Sequence, residues 1–81
     1  MRKHRPSSMN EWLSWKKRPN FVIGQKAVFA DKDKRHRVTV SEIFSENEIL
    51  IHFENGTCYI ASPTVLATLR ENEEYEKLLK I

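Results

Sequence analysis

The fold of this chain is decided by residues 49–60, which read Ile49-Leu50-Ile51-His52-Phe53-Glu54-Asn55-Gly56-Thr57-Cys58-Tyr59-Ile60. Two runs rich in β-branched and aromatic residues flank an Asn-Gly pair, which readily adopts the positive φ values of a two-residue hairpin turn. The pattern therefore predicts an antiparallel hairpin. A two-residue loop also determines the cross-strand pairs, which would be Glu54 with Thr57, Phe53 with Cys58, His52 with Tyr59 and Ile51 with Ile60.

This register assigns the side chains of the hairpin to two faces, because successive residues of a strand point to opposite sides. The predicted core face carries Ile49, Ile51, Phe53, Cys58 and Ile60. The opposite face, which can meet water or a partner, carries Leu50, His52, Tyr59 and Ala61. His52 and Cys58 would then lie on opposite sides of the sheet, where they cannot form a catalytic dyad.

Other short apolar runs outside the hairpin predict further strands, with polar connections between them. The four predicted strands lie near Lys26–Ala30, Arg37–Phe44, Glu48–Phe53 and Thr57–Ala61. Ile43 and Phe44 are adjacent, so a strand that buries alternate residues needs a bulge or bend there.

Helix signals lie at both ends of the chain. Ser8 with Glu11 forms a capping box that predicts a helix from Met9, which Pro19 would end. A second capping box, Thr68 with Glu71, predicts a C-terminal helix. Between the last strand and that helix, Ser62-Pro63 suits the start of a short helical or 3₁₀ turn.

Length limits the chain to a single compact core, since 81 residues cannot bury two. We divide it into a basic N-terminal arm with a short amphipathic helix (1–20), a β domain (21–69) and a C-terminal helix (70–81).

Three stretches carry a resemblance to a known family: Gly24-Gln25-Lys26-Ala27-Val28-Phe29, Arg37-Val38-Thr39-Val40, and Ile49 through Leu66. Over roughly Gly24 to Leu69 the chain resembles a Tudor-like domain of the SH3-like architecture. The resemblance implies a mainly β fold, a small antiparallel barrel, here with a short N-terminal helix and a C-terminal helix. Members of that family bind methylated side chains, proline-rich or other peptides, nucleic acids or larger proteins.

An aromatic cage for a methylated side chain needs several converging rings. We assign Phe29 and Phe53 to the core, which leaves Tyr59 as the strand aromatic expected to be exposed. An aromatic cage for a methylated side chain is therefore disfavoured.

Charge is unevenly distributed, because residues 1–19 hold six Lys or Arg against one acid, whereas the remainder is nearly neutral. The arm and the turn Asp31–Arg37 could grip a nucleic-acid backbone by neutralising phosphates. The candidate nucleic-acid-binding residues are Arg2, Lys3, Arg5, Lys16, Lys17, Arg18, Lys34, Arg35 and Arg37.

The first hypothesis, however, is a small non-enzymatic binding module or inhibitor that docks on a larger protein, of a kind found in phages and mobile elements. Tryptophan and tyrosine often dominate interface energetics. The candidate partner-binding residues are Trp12, Leu13, Trp15, Leu50, His52 and Tyr59. Self-association through the helix or an exposed edge strand is a third possibility.

Other classes of protein are disfavoured by what the sequence lacks. Its three histidines and one cysteine show no metal-ligand spacing, and its two glycines do not form a phosphate loop. We therefore expect no enzyme activity, metal or cofactor. A single cysteine and the absence of a long apolar run favour a cytoplasmic protein without a membrane partner.

Overall fold

The computed structural model describes residues 6–32 and 34–80, and over these residues it is mainly β with two short helices. In chain order the elements are α1 (Met9–Ser14), β1 (Lys26–Asp31), β2 (Lys34–Ser45), β3 (Glu48–Phe53), β4 (Cys58–Ala61), a 3₁₀ turn (Pro63–Val65), β5 (Leu66–Thr68) and α2 (Leu69–Leu79). No helix among these residues has the length and apolar character to cross a membrane.

The five strands form one antiparallel sheet in the order β4-β3-β2-β1-β5. The register between β2 and β3 shifts after Val40 and again after Ile43, which confirms the predicted irregularity. Strand β5 was not predicted, because a three-residue run carries too little pattern to be recognised. It pairs with Ala27–Phe29, so β1 has a neighbour on each side.

Two apolar clusters lie on opposite faces of β1. The inner face of the sheet packs the aliphatic side chains of β2 and β3 against Phe21, Ala61 and Leu66. The outer face of β1 and β5 is covered by both helices, through a cluster of Met9, Leu13, Val28, Ala30, Ala67 and Tyr75. The helices therefore seal one side of the sheet only.

Both predicted helix starts are confirmed. The Ser8 side chain accepts a hydrogen bond from the Glu11 N–H, and the Thr68–Glu71 capping box forms in both directions. Helix α1 ends at Ser14, earlier than Pro19 requires. Lys16, Lys17 and Arg18 therefore follow the helix, and Arg18 reaches across to helix α2.

The predicted hairpin forms, but its register is wrong by one residue. The observed partners are His52 with Cys58, Ile51 with Tyr59, Leu50 with Ile60 and Ile49 with Ala61. The loop contains three residues, because the Phe53 N–H donates to the Thr57 carbonyl (2.8 Å) and the Gly56 N–H donates back to the Phe53 carbonyl (3.0 Å). Only Gly56, at φ +91°, occupies the left-handed region, whereas Asn55 uses its side chain to accept from the Thr57 N–H. This is the geometry of a three-residue hairpin with a bulge.

A shift of one residue exchanges the faces of β4. Cys58 is exposed instead of buried, and Ile60 is half exposed on the outer face. Tyr59 and Ala61 lie on the core side with Ile51 and Ile49, contrary to the sequence-based prediction.

Candidate functional site

Four rings meet where the inner face of the sheet reaches its open end, and we call them the aromatic cluster: Phe29, His36, Phe53 and Tyr59. Phe29 is central, with ring centroids 5.5 Å from Phe53, 5.4 Å from Tyr59 and 6.4 Å from His36. The first two pairs are edge-to-face, an arrangement that aromatic quadrupoles favour. His36 was missed from the sequence, although it is the cross-strand partner of Phe29 in the β1–β2 hairpin.

The aromatic cluster lies between the core and the surface. Phe29 and Phe53 are partly buried and pack against the inner core, whereas His36 is exposed and Tyr59 keeps 52% of its surface exposed. The cluster therefore covers one end of the inner core and leaves aromatic surface accessible there.

A groove of about 810 Å³ lies beside the aromatic cluster. One wall is strand β4 with Tyr59 and Ile60, and its floor includes Phe29 and Val65. The opposite wall comes from the start of α1 and the end of β1, with Asp31 and Lys32 on the rim. Its size is in the range of ligand-binding pockets, about 300–1,000 Å³.

Asn10 joins the two elements of that opposite wall. Its Nδ2 donates to the Ala30 carbonyl at 2.9 Å, so a side-chain amide occupies the edge of β1 where β5 has ended. Oδ1 of the same amide is buried without a hydrogen-bond partner among the described residues. An acceptor in this state destabilises the free protein by about 1–3 kcal/mol.

The six predicted partner-binding residues do not form one surface. Leu13 is fully buried under the sheet and is not available for docking, because it faces the core cluster of the helices. Trp12 is half-buried against Tyr75 (5.4 Å), while Trp15 is exposed. Leu50 and His52 lie on the outer face of the sheet, and only Tyr59 borders the groove.

The predicted nucleic-acid-binding residues are divided as well. Arg2, Lys3 and Arg5 lie outside the described residues. Three of the other six are engaged with helix α2, as described next, and the remaining three, Lys17, Lys34 and Arg37, are exposed.

Arg18 forms the most complete of these contacts. Its guanidinium donates to both carboxylate oxygens of Glu71 (2.8 and 2.9 Å) and to the carbonyls of Pro63 (2.9 Å) and Leu66 (2.6 Å). The two side chains are only 13% and 11% exposed. Arg18 is therefore a structural residue and does not offer a free charge to phosphate.

Lys16 and Arg35 pair with the exposed carboxylates of the same helix, at 3.2 Å to Glu74 and 3.4 Å to Glu76. Both also lie over an aromatic ring, Lys16 over Trp12 and Arg35 over Tyr75. The helix thus neutralises part of the basic surface expected from the sequence.

Glu71 has a clearly shifted acidity. Its burial alone raises the pKa of the carboxyl, but hydrogen bonds from Arg18 and the Thr68 N–H outweigh that effect, with the charges of Arg18 and Lys16 in addition. The pKa therefore lies below the ordinary value of 4.5.

Cys58 and His52 lie side by side on the outer face, with 3.2 Å between Sγ and Nε2. The prediction that they occupy opposite faces is wrong, because it depended on the two-residue loop. Within residues 6–32 and 34–80, no carboxylate pairs with His52, and no group of three or more His, Cys, Asp or Glu is placed to hold a metal ion.

Comparison of this chain with protein-family models, curated proteins and solved structures finds no significant match.

Proposed function

We propose that this chain is a small non-enzymatic binding module that docks on a larger protein through the groove beside β4. The observation that carries the proposal is the exposure of Tyr59 and Ile60, each about half accessible, at the edge of the sheet next to the aromatic cluster. Both residues line the groove, and a concave site lined mainly by apolar side chains is typical of binding sites.

The sheet supports a more specific fold proposal, an SH3-like barrel of the Tudor-like kind. The three-stranded meander β2–β4, the 3₁₀ turn after β4 and the return of β5 to β1 agree with the resemblance described above. An inner face filled with aliphatic residues fits a strongly curled sheet.

A non-enzymatic role is supported by the surroundings of the Cys58–His52 pair. An activated nucleophile usually has a base that is itself oriented by a third group. The pair lies instead on an exposed strand surface, and the hydrogen bond between its two members is the contact that orients His52.

Nucleic-acid binding, the alternative, has less support. Phosphate binding requires free cations, and Arg18, Lys16 and Arg35 are paired with carboxylates. Lys34 and Arg37 remain exposed on β2. The alternative is therefore weak, salt-dependent binding of nucleic acid at these two residues.

Site-specific photo-cross-linking tests the proposed function. A benzophenone amino acid replaces Ile60 in the groove or, as the matched control, Glu73 on the exposed face of α2. Both variants are irradiated in lysate of the source organism, before and after nuclease treatment. We expect discrete, nuclease-resistant protein adducts from position 60 that are absent from position 73.

Adducts that disappear after nuclease treatment support the nucleic-acid alternative. The same adducts from both positions, or none from position 60, contradict docking through the groove.

A further inference from the structure

We infer that the groove binds an extended segment of the partner protein, which adds to the sheet as a new strand beside β4. This inference rests on the proposed function and specifies the form of the ligand. It depends on the backbone of β4, on the shape of the groove and on its charge.

Within residues 6–32 and 34–80, strand β4 has an unpaired edge, because β3 is its one neighbour in the sheet. Antiparallel strands alternate between residue pairs that exchange hydrogen bonds and pairs that do not. Phe53 bonds to Thr57, so the next bonded pair is Ile51 with Tyr59. Cys58 and Ile60 consequently direct their N–H and C=O groups away from β3, towards any strand that arrives at this edge.

The groove provides apolar contacts along the same edge. Tyr59 and Ala61 form part of one wall, and Phe29 and Val65 lie deeper in the groove. In a strand, alternate side chains point the same way. A segment with apolar residues at alternate positions would therefore pack them on this surface while its backbone pairs with β4, the mode known as β-strand addition.

The length of the edge favours a peptide segment over a second copy of this chain. Four residues of β4 span only about 13 Å at 3.3 Å per residue. A stable dimer buries about 800 Å² on each partner, whereas the exposed large apolar side chains of this edge are Tyr59 and Ile60 alone.

Among the described residues that line the groove, Asp31 and Lys32 contribute one charge of each sign. This arrangement complements a polypeptide segment of mixed charge and offers a polyanion no net attraction.

The test uses a library of random 12-residue peptides displayed on phage and selected against the intact chain. Selected peptides are synthesised, and their affinities are measured by isothermal titration calorimetry. We expect apolar residues at alternate positions. N-methylation of the peptide backbone at alternate amides, which removes strand hydrogen bonds, should weaken binding about tenfold, and N-methylation at the intervening amides should have little effect.

Variants and amide exchange locate the binding site. Tyr59→Ser should weaken the selected peptides about tenfold, since aromatic anchors often account for most of the affinity. The matched control is Phe44→Ser, because Phe44 is also half exposed (55%) but lies outside the groove. The N–H groups of Cys58 and Ile60 should become protected from hydrogen exchange when the peptide binds.

The outcomes separate the two proposals. Peptides that bind with equal affinity after N-methylation at every position, or that protect other residues, contradict strand addition but leave protein docking intact. Failure to select any peptide, together with no protein adducts from position 60, contradicts both. A dimer that Tyr59→Ser dissociates in sedimentation identifies a second copy as the occupant and overturns the inference.

Discussion

The two edges of the sheet differ in how far other elements cover them. On the side of β1 and β5, two capped helices cover the strands, and the Arg18–Glu71 ion pair joins the chain after α1 to the start of α2. On the side of β4, no strand of the described part of the chain pairs with the edge, and Tyr59 and Ile60 are half exposed. One edge region is thus covered by helices and a buried ion pair, whereas the other leaves apolar side chains exposed.

The largest difference should appear when one aliphatic side chain is shortened on each side. Leu13→Ala creates a cavity at a fully buried site and should lower the free energy of unfolding by about 2–5 kcal/mol. Ile60→Ala removes a half-exposed side chain and should cost less than about 1.5 kcal/mol. Urea denaturation of both variants measures the difference, and equal losses would break the comparison.

Removal of the buried carboxylate should have the next largest effect. Glu71→Gln leaves the Arg18 guanidinium without its counter-charge, and we expect a loss of about 2–3 kcal/mol, somewhat below the cost of breaking a fully buried pair. Glu74→Gln is the matched control, because its ion pair with Lys16 is exposed and should contribute less than about 1 kcal/mol.

Acid should weaken the same contact. Because the pKa of Glu71 is lower in the folded protein than in the unfolded chain, its stabilising effect is complete well above pH 4.5 and is lost as the pH falls through the folded value. The stability of the parent chain should therefore decline more steeply below pH 4.5 than that of Glu71→Gln. If the stability of both proteins falls equally with pH, the ion pair does not contribute to stability.

The hairpin loop provides a smaller test. Gly56→Ala forces a side chain into the left-handed region and should cost about 1–2 kcal/mol, although a Cβ at this position meets no neighbouring atom. Glu54→Ala, in the same loop, should change stability by less than about 0.5 kcal/mol. If Gly56→Ala is as well tolerated as Glu54→Ala, the three-residue loop is wrong.

The smallest effect on stability is expected at Cys58. Its exposure predicts complete reaction with a thiol reagent in the folded state, and Cys58→Ser should alter stability by less than about 0.5 kcal/mol. If the thiol reacts only after the protein unfolds, Cys58 is buried, as the two-residue loop predicts.

Much of the fold could be predicted because its signals are local. The caps at Ser8 and Thr68, strand β3 and the bulge near Ile43 each depend on a few neighbouring residues, and all are observed. The register of β4 could not be predicted, since Asn-Gly suits both a two-residue and a three-residue loop, and a difference of one residue reverses every side chain of the strand.

The candidate site was predicted only in part. Tyr59 was named, but for the wrong face, and His36 was overlooked. Leu13 and Arg18 were assigned to surfaces although they are buried, because an amphipathic helix or a basic run does not reveal what will cover it.

By itself the sequence determined that this chain is mainly β, where its helices begin, and that Ile49 and Ile51 of β3 lie in the core, because periodicity and capping are properties of adjacent residues. Only the tertiary structure decided which charges are paired, which face Cys58 and Tyr59 occupy, and that β4 is left unpaired beside a groove. These features depend on contacts between residues far apart in the chain, such as Arg18 with Glu71, which no local pattern records.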